Sequence, residues 1–234
     1  MVITLNSLDQ FVERLSLPPL PAETRSAMQS LASLERFAGG SSLELDEAQG
    51  LIVFLARGST KLVAHASEAR DQIVAFHFAG DFYWVPAGDN YSYSLCALRD
   101  TELLTFPAEP FLEAVSGQPA VVRLLIRHIT LALRRSREKT VALGRKTAAE
   151  RMAVFLLSMA ERIGIAKGEA TLLDLPMSRR DIAESLGLTI ETVSRQLTHL
   201  REAGLIRTEG RSCIQLNDLG RLRLHAGYRE DAHD

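Results

Sequence analysis

Cysteine is scarce in this 234-residue chain, which has only Cys96 and Cys213. They lie too far apart for a CxxC pair or a four-ligand cluster, so a structural zinc or a self-contained iron–sulfur site is not expected, and both read as reduced, structural thiols. Long apolar runs are missing as well. No uncharged apolar run is longer than Leu51 to Ala56, far short of the roughly 20 residues that a membrane helix needs, and the N-terminus lacks a basic segment followed by an apolar one. A cytoplasmic protein with no membrane partner is expected. Nor is there an excess of charge of one sign: 27 Lys and Arg stand against 29 Asp and Glu, a formal net charge of −2. Indiscriminate phosphate binding usually shows as a strongly basic balance, so contact with nucleic acid would have to come from a local surface. A hydrophobic fraction of 46% and a charged fraction of 24% are those of a folded globular protein, and the length allows two modest domains.

From Leu43 to about Pro107 the chain consists of short apolar runs, Leu51 to Leu55, Lys61 to His65, Gln72 to Phe78, Ser94 to Leu98 and Glu102 to Phe106. Breakers separate them at Arg57-Gly58-Ser59, Ser67 to Asp71, Gly80-Asp81 and Pro86 to Asn90. This spacing predicts an antiparallel sandwich or barrel. Residues 8 to 36 read as helical and amphipathic, interrupted at Leu17-Pro18-Pro19-Leu20-Pro21.

From Pro119 the period becomes helical. Val122, Ile126, Ile129, Leu133, Ser136, Thr140 and Leu143 alternate steps of four and three, the stripe of a coiled-coil seam. Arg123, Arg127, Arg134, Arg135, Arg137 and Lys139 lie off it and are expected to form a charged outer face. A helix of about 25 residues would be about 37 Å long, too long for one small barrel to cover, which predicts a homodimer through this stripe. A second helix is expected over 147–163, with Ala148, Met152, Phe155, Leu156 and Met159 buried and Gly164 and Gly168 closing it. The division expected is a β-domain at 1–118, a dimerisation helix at 119–143 and a third part at 144–234.

The segment Ser178 to Arg201 is the most informative. Ala183, Gly187 and Val193 stand in the order that a helix-turn-helix requires: a small residue where two helices touch, a glycine in a left-handed turn, and a branched apolar residue seating the second helix. Ser178 and Thr189 are candidate caps. If the second helix starts at Ile190, then Glu191, Ser194 and Arg195 project together from the half that enters a major groove. Arginine can donate twice to guanine and glutamate can accept from cytosine N4, so these three are the candidate base-reading residues. Arg179, Arg180, Thr192, Thr198, His199 and Arg201 are candidates for backbone phosphates. Gly204 to Leu216 reads as two short strands about Glu209-Gly210, a wing, with Arg207 and Arg211 on or beside it and Arg211 a further phosphate candidate.

The order of β-rich domain, long helix and winged helix, together with Glu191-Thr-Val-Ser-Arg195, resembles the CRP/FNR family of bacterial regulators over nearly the whole chain. The Glu-x-x-Ser-Arg pattern and Ala149 to Ala160 resemble the FNR/FixK branch; the cyclic-AMP receptor branch has an arginine where this chain has Ile190. The resemblance implies an α+β fold: an N-terminal antiparallel β-roll like that of cyclic-nucleotide-binding jelly rolls, a dimer helix and a C-terminal winged helix-turn-helix. It further implies a DNA-binding homodimer acting on an inverted repeat with TTGAT-like half-sites, with RNA polymerase as partner.

In the cyclic-nucleotide-binding relatives a glycine-led segment carries an arginine for the cyclic phosphate. The stretch resembling it here, Gly80 to Leu95, has no lysine or arginine, and burying a phosphate without a cation is costly, so cyclic AMP is not expected. Residues 1 to 40 contain no cysteine, so the iron–sulfur cluster of FNR is not expected either. Tyr83, Trp84, Tyr91 and Tyr93 are candidates to line an apolar pocket, although filling the barrel's own core is the commoner role for such residues. No metal site and no catalytic residues are read: neither a cupin histidine cluster nor a Ser-His-Asp grouping is evident. The alternatives are a haem-dependent gas sensor using His65 or His77 as axial ligand, a cupin-type metal enzyme in the β-domain, and a redox role for Cys213 in the wing.

Overall fold

Leu51–Arg57, the most apolar segment of the chain, is strand β3, and it is apolar because both of its faces are covered. Successive side chains of a strand point to opposite faces. Val53 and Leu55 turn one way, to meet Leu62, Tyr83, Val85, Leu95 and Leu103. Ile52, Phe54 and Ala56 turn the other way, to meet Leu8, Phe11, Met28, Phe106 and Phe111. The computed structural model describes residues 5–44, 49–65, 71–87, 91–210 and 212–228. Arg211 and the breakers expected at 67–70 and 88–90 lie outside the described residues. The chain forms two compact units, 1–135 and 136–234, divided within the long helix.

In the first unit, α1 (Leu5–Arg14) and α2 (Ala22–Leu31) precede, among the described residues, eight strands: β1 (Ser33–Phe37), β2 (Ser42–Glu44), β3, β4 (Ser59–His65), β5 (Asp71–Phe78), β6 (Phe82–Val85), β7 (Ser92–Ala97) and β8 (Thr101–Pro107). They make two four-stranded antiparallel sheets, β1-β8-β3-β6 and β2-β7-β4-β5, the expected jelly roll. One core lies between the sheets; the other lies where α1, α2, α3 (Ala108–Val115) and the start of α4 (Pro119–Arg145) cover the outer face of the first sheet. Phe11 sits edge-on against Phe54, Phe82 and Phe106 at 5.3, 5.4 and 6.0 Å.

Three sequence expectations change here. Residues 33–36 are strand rather than helix, because Leu34 is buried and the segment pairs with β8 from Ser33↔Thr105 to Phe37↔Thr101. Tyr83 does fill the core and Tyr93 packs against it half-buried, but Trp84, next to Tyr83 on its strand, points to the helix-covered face as alternation demands, and Tyr91, just before β7, is exposed. Asp71, His65 and Ser94 also come together, which sequence separation hides: Nδ1 of His65 is 2.8 Å from Asp71 Oδ1, and its Nε2 is 2.9 Å from Ser94 Oγ. The Ser94 side chain is buried, so the trio clamps β4, β5 and β7 rather than presenting a nucleophile.

The second unit contains the last turns of α4, then α5 (Ala148–Ile163), β9 (Ile165–Lys167), β10 (Ala170–Asp174), α6 (Arg179–Leu186), α7 (Ile190–Glu202), β11 (Ile206–Glu209), β12 (Cys213–Leu216) and α8 (Leu219–His225). Thr147 and Glu150 form a capping box at α5, whose buried side is Met152, Ala153, Phe155, Leu156 and Met159. Gly164 ends α5 in extended backbone, where a Cβ would come within 2.3 Å of the Ala160 carbonyl oxygen. Gly168, at φ +62, belongs instead to the turn between β9 and β10. That hairpin was not foreseen, and it extends the wing into a four-stranded sheet, β11-β12-β10-β9. No helix among the described residues is long and apolar enough to cross a membrane.

Candidate nucleic-acid interface

The helix-turn-helix is built as its sequence prescribes. Ser178 accepts from the Asp181 N–H while the Asp181 carboxylate accepts from the Ser178 N–H at 2.8 Å, which fixes the start of α6. Gly187 adopts φ 61 and ψ 43, a left-handed conformation that a β-carbon would disfavour by about 1–2 kcal/mol. Thr189 accepts from the Thr192 N–H to start α7. Ala183, Val193, Leu197 and Leu200 are buried, so α7 has one seated face and one open face.

Glu191 and Arg195 are exposed on the open face and Ser194 is half-exposed between them. Glu191 is held below the usual carboxylate range, first by its own backbone N–H and then by the Thr189 hydroxyl. Nη1 of Arg179, at the start of α6, donates to Ser194 Oγ at 3.1 Å. Arg180, His199 and Arg201 are exposed and Thr198 is half-exposed. Thr192 is partly engaged by the cap, its hydroxyl accepting from Thr189 at 3.1 Å. Gly210, at φ +66, turns the wing between β11 and β12.

Two arrangements behind this face were invisible in the sequence. Arg151 of α5 donates to three carbonyls, Lys146 and Leu143 at the end of α4 and Leu186 at the end of α6. Lys139, expected on a charged outer face, is instead turned against α6, where Nζ donates to the buried Ser185 Oγ at 3.1 Å; burial pushes its pKa from 10.5 down to about 8. No local signal marks either contact, since both depend on which helices meet in space.

Along α4, Ile126, Ile129 and Leu133 are 58%, 38% and 48% exposed, and Ser136 and Thr140 are also exposed. The ends of the stripe differ: Val122 is half-buried against the β-unit core, and Leu143, also half-buried, lies beside Gly187. Val141, outside the expected stripe, is 56% exposed.

His65 and His77, the two candidate haem ligands, are both engaged by neighbouring side chains. Both ring nitrogens of His65 are engaged by Asp71 and Ser94. His77 is buried face to face with Tyr83, ring centroids 3.6 Å apart and 3° from parallel. An open groove of about 370 Å3, lined by Arg36, Phe37, Arg57, Asp100 and Glu102 among others, has no histidine in its wall. Among the described residues no group of three His, Cys, Asp or Glu side chains can hold a metal ion.

A β-roll, a long helix with an open apolar stripe, and a winged helix-turn-helix with a polar second helix define a DNA-binding transcription regulator. Residues 150–224 match the Crp-like helix-turn-helix domain. The chain is similar to a probable transcriptional activator of Rhizobium leguminosarum, 39% identical over 166 residues that cover 71% of this chain and 69% of that protein. It is also similar to the transcriptional activator protein FnrL of Cereibacter sphaeroides, 31% identical over 219 residues covering 88% of each. Among solved structures, FixK2 from Bradyrhizobium japonicum superposes with a TM-score of 0.71 at 32% identity, over 82% of this chain and 96% of that one. The chain belongs to the CRP/FNR family of transcription regulators, in its FNR/FixK branch. Its relatives are regulators, not enzymes, and this sets the cupin reading aside.

Proposed function

We propose that this regulator binds an inverted repeat of TTGAT-like half-sites as a homodimer, without cyclic AMP or an iron–sulfur cluster. The observation that carries the reading is the row Glu191, Ser194 and Arg195 on the open face of α7, a carboxylate, a hydroxyl and a guanidinium at helical spacing. In this reading those three contact base edges, Arg195 donating to guanine O6 and N7 and Glu191 accepting from cytosine N4. Arg179, Arg180, Thr192, Thr198, His199, Arg201 and Arg211 hold phosphates and set the register. The dimer forms along Val122, Ile126, Ile129, Leu133, Ser136, Thr140 and Leu143, with residues 1–118 and 144–234 as the flanking domains. Support for the dimer comes from the large apolar side chains of α4 left open in a single chain. Two recognition helices about 34 Å apart would meet successive major grooves on one side of the duplex. RNA polymerase is the further partner expected of a cytoplasmic activator.

The test is a titration of ligand-free protein at a fixed salt concentration of about 150 mM, comparing TTGAT-type and TGTGA-type palindromes with a scrambled duplex. Tight preference for the first, with a stoichiometry of two chains per duplex, supports the reading. Equal binding to all three overturns it.

A further inference from the structure

Base readers are usually counted as the side chains that face the groove. The hydrogen bond behind Ser194 adds a residue that acts through another. We propose that Arg179 is a specificity-determining positioning residue: by donating to Ser194 it occupies one of the two lone pairs of that hydroxyl and turns its proton toward the major groove. The proposal rests on the reading of α7 as the base-reading helix.

A serine hydroxyl carries one proton and two acceptor lone pairs, and it rotates to suit its surroundings; a guanidinium only donates. In the 3.1 Å contact between Arg179 Nη1 and Ser194 Oγ the serine oxygen is therefore the acceptor. Ser194 makes no other side-chain hydrogen bond among the described residues, so its proton is uncommitted and is repelled from the side that the cation occupies. Arg179 is exposed, so its other N–H groups stay available to a phosphate. One side chain thus holds the backbone and orients a base reader.

The chemical consequence is selective. A hydroxyl presented as a donor pairs with thymine O4, guanine O6 or N7, or adenine N7. With one lone pair taken by Arg179, it is a poorer partner for the amino groups of adenine N6 and cytosine N4, which need an acceptor. Glu191, a carboxylate exposed on the same face, provides the opposite polarity. The exposed face of α7 accordingly carries an acceptor at 191, a hydroxyl with its proton turned outward at 194 and a donor at 195.

The experiment measures binding of the full-length wild type, Arg179→Ala, Arg179→Lys, Ser194→Ala and the Arg179→Ala/Ser194→Ala double variant at one salt concentration. The duplexes carry every single base-pair replacement in the half-site. Ser194→Ala should flatten the preference at one base pair. Arg179→Ala should weaken binding on every duplex and also relax that same base pair by about three- to ten-fold. Arg179→Lys, which still donates, should keep the preference, and the double variant should show no more loss of preference there than Ser194→Ala alone. If Arg179→Ala weakens all duplexes by one common factor and adds to Ser194→Ala, Arg179 is a phosphate contact only and the proposal is overturned. If Glu191→Ala, Ser194→Ala and Arg195→Ala all leave base preference unchanged, the proposal falls because the reading of α7 itself has failed.

Discussion

Arg151 donates through Nη1 to the carbonyl oxygen of Leu186 at 3.2 Å, and its Nη2 reaches the Leu143 carbonyl at 2.7 Å. One side chain thereby terminates two helices, using carbonyls that have no partner within their own last turns. Arg151→Ala should lower the stability of the unit containing α5 to α7 by about 2 kcal/mol, the scale of hydrogen bonds to a charged group. Arg151→Lys should recover less than half of this, since an ammonium lacks the planar fork that reaches three acceptors. Urea midpoints of the full chain give the comparison; a loss under about 0.5 kcal/mol would show that the carbonyls are satisfied without it.

Lys139 makes stability depend on pH in an unusual direction. Its pKa is depressed in the folded chain, to about 8 from 10.5, so between those values the unfolded state binds more protons and stability rises with pH. The gain across that window should be at most about 3 kcal/mol. Lys139→Met should remove the slope between pH 8 and 10 and raise stability at pH 7. Parallel wild-type and variant slopes would place the amine in contact with water.

The stripe on α4 predicts an assembly phenotype. Burying Leu133 is worth about 1.5–3 kcal/mol per copy, so Leu133→Glu should weaken dimerisation by on the order of a hundred-fold or more. Sedimentation should show a monomer with unchanged far-ultraviolet circular dichroism and greatly reduced affinity for a palindromic duplex. A variant that stays dimeric would move the interface elsewhere.

Base readers and phosphate holders should separate in one data set. Arg195→Ala should cost about 1–3 kcal/mol of discrimination at a single base pair. Arg201→Ala should weaken all duplexes alike and lower the salt slope by about 1. The reverse pattern would exchange their roles.

The helix-turn-helix was legible in the sequence because its constraints are local: Ser178 and Thr189 as caps, Gly187 where only a left-handed residue fits, Ala183 and Val193 at fixed spacing. The strands of the β-roll were legible where alternation or a doubly covered run set them apart. β1 was not, since Ser33 to Phe37 becomes strand only through pairing with β8, and tertiary pairing overrides local pattern. β9 and β10 escaped notice because three and five residues are too few to show a period. Lys139, read by helical period as an outer residue, was misplaced because the period says which side of α4 it occupies and not what another helix brings to that side.

The doubly covered strand β3 also has a cost during synthesis. Val53 pairs with Tyr83 on one edge and Thr105 on the other, so a chain made from its N-terminus must wait for both before the run is sheltered. At about 5–20 residues per second that wait lasts several seconds. Throughout it, six consecutive apolar residues, Leu51 to Ala56, trail from the ribosome as an adhesive ribbon, and a holding chaperone would find its natural grip there.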